Sequence, residues 1–169
     1  MDLSTLTNEE DEIYIEVLSV QGASMKEMHQ QLATKGTFDR YEQVHLAYAN
    51  LADEDTEALK RGLFIQWCAL TEPSGFTGIA ELAPEAKLKI IKALDNRISS
   101  GTLDYELSWM LRYYADWDFV FERHKEFHFL HDWIANEKGA QLPDKIDTQV
   151  MSQRGRMGRY WNSLIRFAE

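Results

Sequence analysis

The chain has 169 residues, of which 44% are apolar and 27% charged, and its net charge is −10. That length suits one domain, and the composition excludes a wholly disordered chain, a collagen-like repeat and a disulfide-stapled miniprotein. The acidic surplus disfavours nonspecific binding to nucleic acid or to an anionic membrane, because the molecule as a whole repels phosphate.

Strand-type alternation is nearly absent, and three prolines and nine glycines leave room for uninterrupted helices. We therefore expect one all-α domain over residues 1–169, a compact bundle of about seven or eight helices built from antiparallel neighbours. The first helix is expected to start near Asn8 as its cap, with Ile13, Val17 and Val20 on one face and Gly22 as the stop. Ser24 caps a short second helix carrying Met25, Met28 and Leu32, which ends at Gly36. Thr37 caps a third, with Tyr41, Val44, Tyr48 and Leu51 at helical spacing. Asp53 or Asp55 opens a fourth, whose stripe is Leu59, Leu63, Trp67 and Leu70 and whose end Pro73 forces.

Residues 72–78, rich in serine, threonine and glycine, form the clearest loop. Its backbone N–H groups could cradle an anion, but turn chemistry alone explains the composition. Pro84 fits the first turn of a fifth helix running through Leu88, Ile91, Leu94 and Ile98 to Gly101. Thr102 caps the next segment. A last amphipathic segment covers Asp147 to Phe167, weakened by Gly155 and Gly158; Met157, Trp161, Leu164 and Ala168 are its docking face.

Residues 103–133 hold ten of the chain's twenty aromatic side chains. A segment apolar on most sides is a buried one, so the 103–135 stretch is expected at the centre of the fold. One stripe, Leu103, Leu107, Met110, Tyr114, Trp117 and Phe121, continues through His124, His128 and His131. Asp116 and Asp118 resemble an N-cap pair, so the helix over 103–136 is either continuous or broken near Asp116. In either case the three histidines are expected on one face within two turns, where they could hold a divalent metal such as zinc. No other cofactor is predicted, and no catalytic residue is assigned. Asp116, Asp118, Glu122 and Glu126 could also chelate a cation, yet their helical spacing is what a solvated face would show.

The acid is unevenly placed. Residues 1–57 carry thirteen acidic and three basic side chains, whereas residues 58–169 carry fifteen of each. A basic protein partner could be steered to that first third. Arg154, Arg156, Arg159, Tyr160 and Trp161 form the one basic, aromatic stretch; they could anchor a protein interface or stack single-stranded bases, or dock the last helix with their arginines on the acidic third. Cys68 is the sole cysteine, so no internal disulfide can form. It lies inside an apolar helical face, where it is expected as a buried core thiol. The N-terminus lacks the basic and apolar regions of a signal peptide, and no stretch reaches the ~18 apolar residues that span a bilayer. These absences lead to the expectation of a cytoplasmic protein.

Three functions follow as expectations. The first is a non-catalytic module that binds another protein. The second is a metal-binding protein, with hydrolysis as its chemistry if it is an enzyme, that uses His124, His128 and His131. The third is a pocket for a small aromatic or apolar ligand within the helical core. Twenty aromatic residues also leave room for a homo-oligomer face.

Overall fold

The computed structural model describes residues 2–137, 139 and 142–166, without the side chains of Asp118, Ile165 and Arg166. Among the described residues there are ten α-helices, one short 3₁₀ turn and no strand. In chain order they are α1 (Leu3–Ser19), α2 (Met25–Thr34), α3 (Thr37–Leu51), α4 (Thr56–Thr71), α5 (Ser74–Thr77), α6 (Pro84–Ser99), α7 (Tyr105–Ala115), α8 (His128–Glu137), α9 (Thr148–Ser152) and α10 (Gly155–Arg166). The all-α class is as expected. The count exceeds the expectation because two elements are single turns and because two expected segments are split.

Capping chemistry sets most boundaries. Asp2, not Asn8, caps α1, its carboxylate accepting from the Thr5 N–H at 2.9 Å, so the cap lies six residues earlier than expected. Ser24 caps α2 and Asp55 caps α4. Gly36, not Thr37, precedes α3; with φ +71° it takes a left-handed conformation that suits glycine. The Thr37 hydroxyl instead donates to Glu16 on α1 at 2.6 Å. Asp104, not Thr102, caps α7, accepting from Leu107 at 2.6 Å.

The most buried element is α4, whose residues Ala58–Cys68 are buried without interruption. Helices α1 and α3, α6 and α7, and α10 surround it. Trp67 is the hub of the aromatic packing: Tyr114, Trp117 and Tyr160 all bring their ring centres within 5.3 Å of it. Trp109 of α7 meets Trp161 of α10 edge to face at 4.8 Å. The aromatic stretch thus supplies one wall of the core, and the axis belongs to α4. The stretch is not one helix. It breaks after Ala115, passes through a 3₁₀ turn at Asp118–Val120 and resumes as helix only at His128. Tyr105, Phe119 and Phe129 project into solvent.

Helix α8 packs on α6 and α7, with Trp133 and Ile134 half-buried against the core. Leu130 is its buried residue, with its amide donating 2.8 Å to the Asp95 carboxylate of α6, and Glu137 at the far end pairs with Arg112 at 2.5 Å. The last segment is split into α9 and α10 at Gln153–Arg154. Its glycines serve the split. Gly155 has φ +57°, and a Cβ on Gly158 would lie 1.7 Å from the Met151 carbonyl oxygen. Met157 and Trp161 dock as expected, while Phe167 and Ala168 lie outside the described residues.

Candidate functional site

Burying α4 on all sides buries Lys60, Arg61 and Gln66 with it, and each needs a partner inside the protein. Arg61 donates to the equally buried Glu10 carboxylate of α1 at 2.9 Å, and Tyr48 of α3 donates to the same oxygen at 2.6 Å. Arg61 also donates to Glu57 at 2.8 Å. Arg154 joins from the α9–α10 turn, making a two-pronged pair with Glu57 and reaching Glu106 of α7 at 2.8 Å. Lys60 completes the chain with Glu106 at 2.9 Å and Asp104 at 2.7 Å. Burial pushes the Glu10 carboxyl above its usual range, and Arg61 and Tyr48 oppose that shift. A broad cleft of about 730 Å³ opens onto this network, bordered by Leu3, Thr7, Asn8, Val150 and Gln153.

The arginine and aromatic tail is therefore engaged within the fold. Arg156 donates to the Thr77 carbonyl at 2.5 Å, and Arg156 and Arg159 both lie over the Tyr14 ring. Tyr160 and Tyr113 share a hydroxyl–hydroxyl hydrogen bond of 2.5 Å. Trp161 is fully buried. Arg154 pairs with Glu57 of the acidic first third, as the docking alternative required.

The three histidines do not share one helix. The turns at residues 121–127 carry His124 off the helix, contrary to the expectation that a break near Asp116 would leave the three together. His128 opens α8 and is exposed, and His131 lines a small cavity of about 280 Å³ with Phe121 and Ile134. Its Nε2 is buried without a partner. Burial lowers the pKa of His124. Among the described residues no group of three His, Cys, Asp or Glu side chains is gathered closely enough to hold a metal ion. Asp116, Glu122 and Glu126 are exposed, and the side chain of Asp118 lies outside the described residues. Cys68 is buried, and burial pushes its thiol up to about 12, far from a reactive thiolate.

A second cleft, of about 460 Å³, lies between the C-terminal end of α4, the start of α6 and the 119–126 connection. Leu70, Leu88 and Phe119 line it, and they are 46%, 47% and 49% exposed although their helical or aromatic setting reads as core. Pro84 and Val120 extend the apolar wall, and Lys87, Glu122, Arg123, His124 and Glu126 form the rim. Gln66, 3% exposed, reaches this cleft from α4. Next to it stands His45 of α3, fully buried, its ring set against the Gln66 side chain and the Gly62 backbone, both of which favour its charged form. Burial pulls the His45 pKa down to about 4, which keeps the ring neutral. Neither Gln66 nor His45 was singled out by the sequence. A buried carboxamide beside an apolar groove leaves no signature in spacing, and the available signal was a glutamine within the otherwise apolar run 63–70 of α4.

No protein-family model matches the chain, and neither the curated proteins nor the solved structures contain a significant match.

Proposed function

We propose that the protein is a non-catalytic binding protein whose ligand site is the cleft between α4, α6 and the 119–126 connection. The observation that carries this is the convergence of Leu70, Leu88 and Phe119, each about half exposed, on one cleft of about 460 Å³. That volume lies within the range of pockets that take small molecules, and an apolar wall with a few polar groups is their usual lining. The polar cleft is the weaker candidate, because its arginines already meet carboxylates of the same chain.

Nile red, a neutral dye that brightens in apolar surroundings, provides the test. The full chain is expected to raise its fluorescence saturably. Leu88→Asp and Phe119→Asp are each expected to abolish the rise without changing the far-ultraviolet circular dichroism. Saturable binding that survives both substitutions would place the dye elsewhere and refute the proposal.

A second reading keeps the acidic first third as the docking face for a basic protein. It is supported by Glu12, Asp39, Asp53 and Glu54, which are exposed on or beside α1 and α3. Decalysine is expected to bind there with an association rate that falls steeply as ionic strength rises; a salt-independent rate removes this reading.

A further inference from the structure

We propose that the α4–α6 cleft binds a small organic carboxylate with an apolar body of one or two rings, its anionic head held between Lys87 and His124, so that binding tightens as His124 takes up a proton. The inference rests on the cleft being a ligand site and names the charge and the pH response of what fills it.

The body follows from the walls. Leu70, Leu88, Phe119, Pro84 and Val120 line the cleft with carbon, and about 460 Å³ accommodates one or two rings. The sign of the head follows from the rim. Lys87 of α6 stands there with Glu122, Arg123, His124 and Glu126 of the 119–126 connection, while α4 adds only the uncharged Gln66 and Leu70. Glu122, Arg123 and Glu126 are exposed, so water screens them, whereas Lys87 and His124 are half-buried. The two groups whose charge is felt most inside the cleft are therefore both bases.

Those two bases oppose one another. Burial holds the His124 pKa below its ordinary value of 6.5; Lys87, Arg123 and His131 of α8 act in the same direction, and Glu126 acts against them. Among the described residues Lys87 takes part in no ion pair, unlike Lys60, Arg61 and Arg154 at the polar cleft. A carboxylate between Lys87 and His124 pairs with the first and offsets the repulsion that keeps the proton off the second, so it raises the His124 pKa. By linkage, the protonated form then binds that carboxylate more tightly. The free ring charges only below about pH 6.5, so the gain is small at about pH 7.5 and grows towards about pH 5.5. A neutral ligand gains nothing from this proton, and an ammonium ligand loses by it.

Three probes of one shape and different charge test this on the full chain: 2-naphthoate, naphthalene and 2-naphthylmethylammonium, titrated by fluorescence at about pH 7.5 and about pH 5.5. Naphthoate stays largely ionised at both. It is expected to displace Nile red and to bind about fivefold more tightly at the lower pH, while naphthalene changes by less than about twofold. His124→Gln should remove the naphthoate gain and leave naphthalene binding within about twofold. A second measurement needs no variant: in isotope-labelled native protein, the His124 ring resonances should titrate at higher pH when naphthoate is present. A naphthoate affinity that does not rise on acidification, a rise that survives His124→Gln, a His124 titration that naphthoate leaves in place, or a failure to displace Nile red would overturn the inference while leaving an apolar cleft in place. So would 2-naphthylmethylammonium binding more tightly than naphthoate at the lower pH. If no probe binds and Nile red also fails, the ligand-site proposal itself falls.

Discussion

In the cleft between α1, α4, α7 and the α9–α10 turn, Arg61 and Arg154 each meet a carboxylate of the same chain; the cleft between α4 and α6 has instead an apolar wall of half-exposed Leu70, Leu88 and Phe119. Both clefts have α4 as their floor, and both draw on polar residues that the burial of α4 carried inwards. The first joins four elements distant in sequence through charge-assisted hydrogen bonds, as a seam would. The second leaves leucines half exposed beside the buried Gln66, as a receptor would. Cleft volume alone would have favoured the polar site. The state of the groups at its floor reverses that ranking.

The largest effect that would sharpen the contrast lies in the seam. Arg61→Met is expected to lower the unfolding free energy by ~3–5 kcal/mol, because it leaves the Glu10 carboxylate buried with Tyr48 alone. Adding Glu10→Gln should recover part of that loss. Urea unfolding of the two variants beside the native protein gives the answer, and a cost below ~1 kcal/mol for Arg61→Met would mean that the network does not hold the helices together.

A somewhat smaller effect belongs to the polar pair behind the apolar cleft. The folded-state pKa of His45 is depressed to about 4 from an ordinary value of 6.5, so the unfolded chain takes up a proton first as pH falls. The stabilisation from keeping the ring neutral is therefore complete above about pH 6.5 and is lost between there and about pH 4, by on the order of 3 kcal/mol. His45→Gln should flatten that part of the stability profile. An unchanged slope in the variant would show that the loss comes from carboxylates elsewhere.

The smallest effect is expected at the mouth of the apolar cleft. Leu88→Asp should change the unfolding free energy by less than ~1 kcal/mol while abolishing dye binding. A large destabilisation there would mean that Leu88 serves the core after all, and the difference between the clefts would narrow.

Much of the fold was legible because local chemistry and global packing agree. Ser24, Asp55, Pro84 and Gly101 mark the helix ends that their side chains or backbone predict. Where two candidate caps lay close together, as with Thr102 and Asp104, the carboxylate that reached the amide could not be picked from sequence. The site was hidden for a different reason. Leu70 and Leu88 continue the stripes of Leu59, Leu63 and Trp67 and of Ile91 and Leu94, and helical periodicity assigns them to the core. They surface because the chain between Ala115 and His128 leaves the helical path and does not cover them fully. The same departure dissolved the histidine ladder. The docking of the basic tail on the acidic third was anticipated as an alternative, and the particular carboxylates, Glu57 and Glu106, depended on tertiary geometry.

Helix α8 has one fully buried side chain, Leu130, with the half-buried Trp133 and Ile134, the Asp95 carboxylate and the Arg112–Glu137 pair around it, and this has a dynamic consequence. Such a helix loses less apolar burial on opening than α4, which is buried without interruption from Ala58 to Cys68. The amide hydrogens of α8 are expected to exchange with solvent through such partial openings, while those of α4 wait for the whole molecule to unfold.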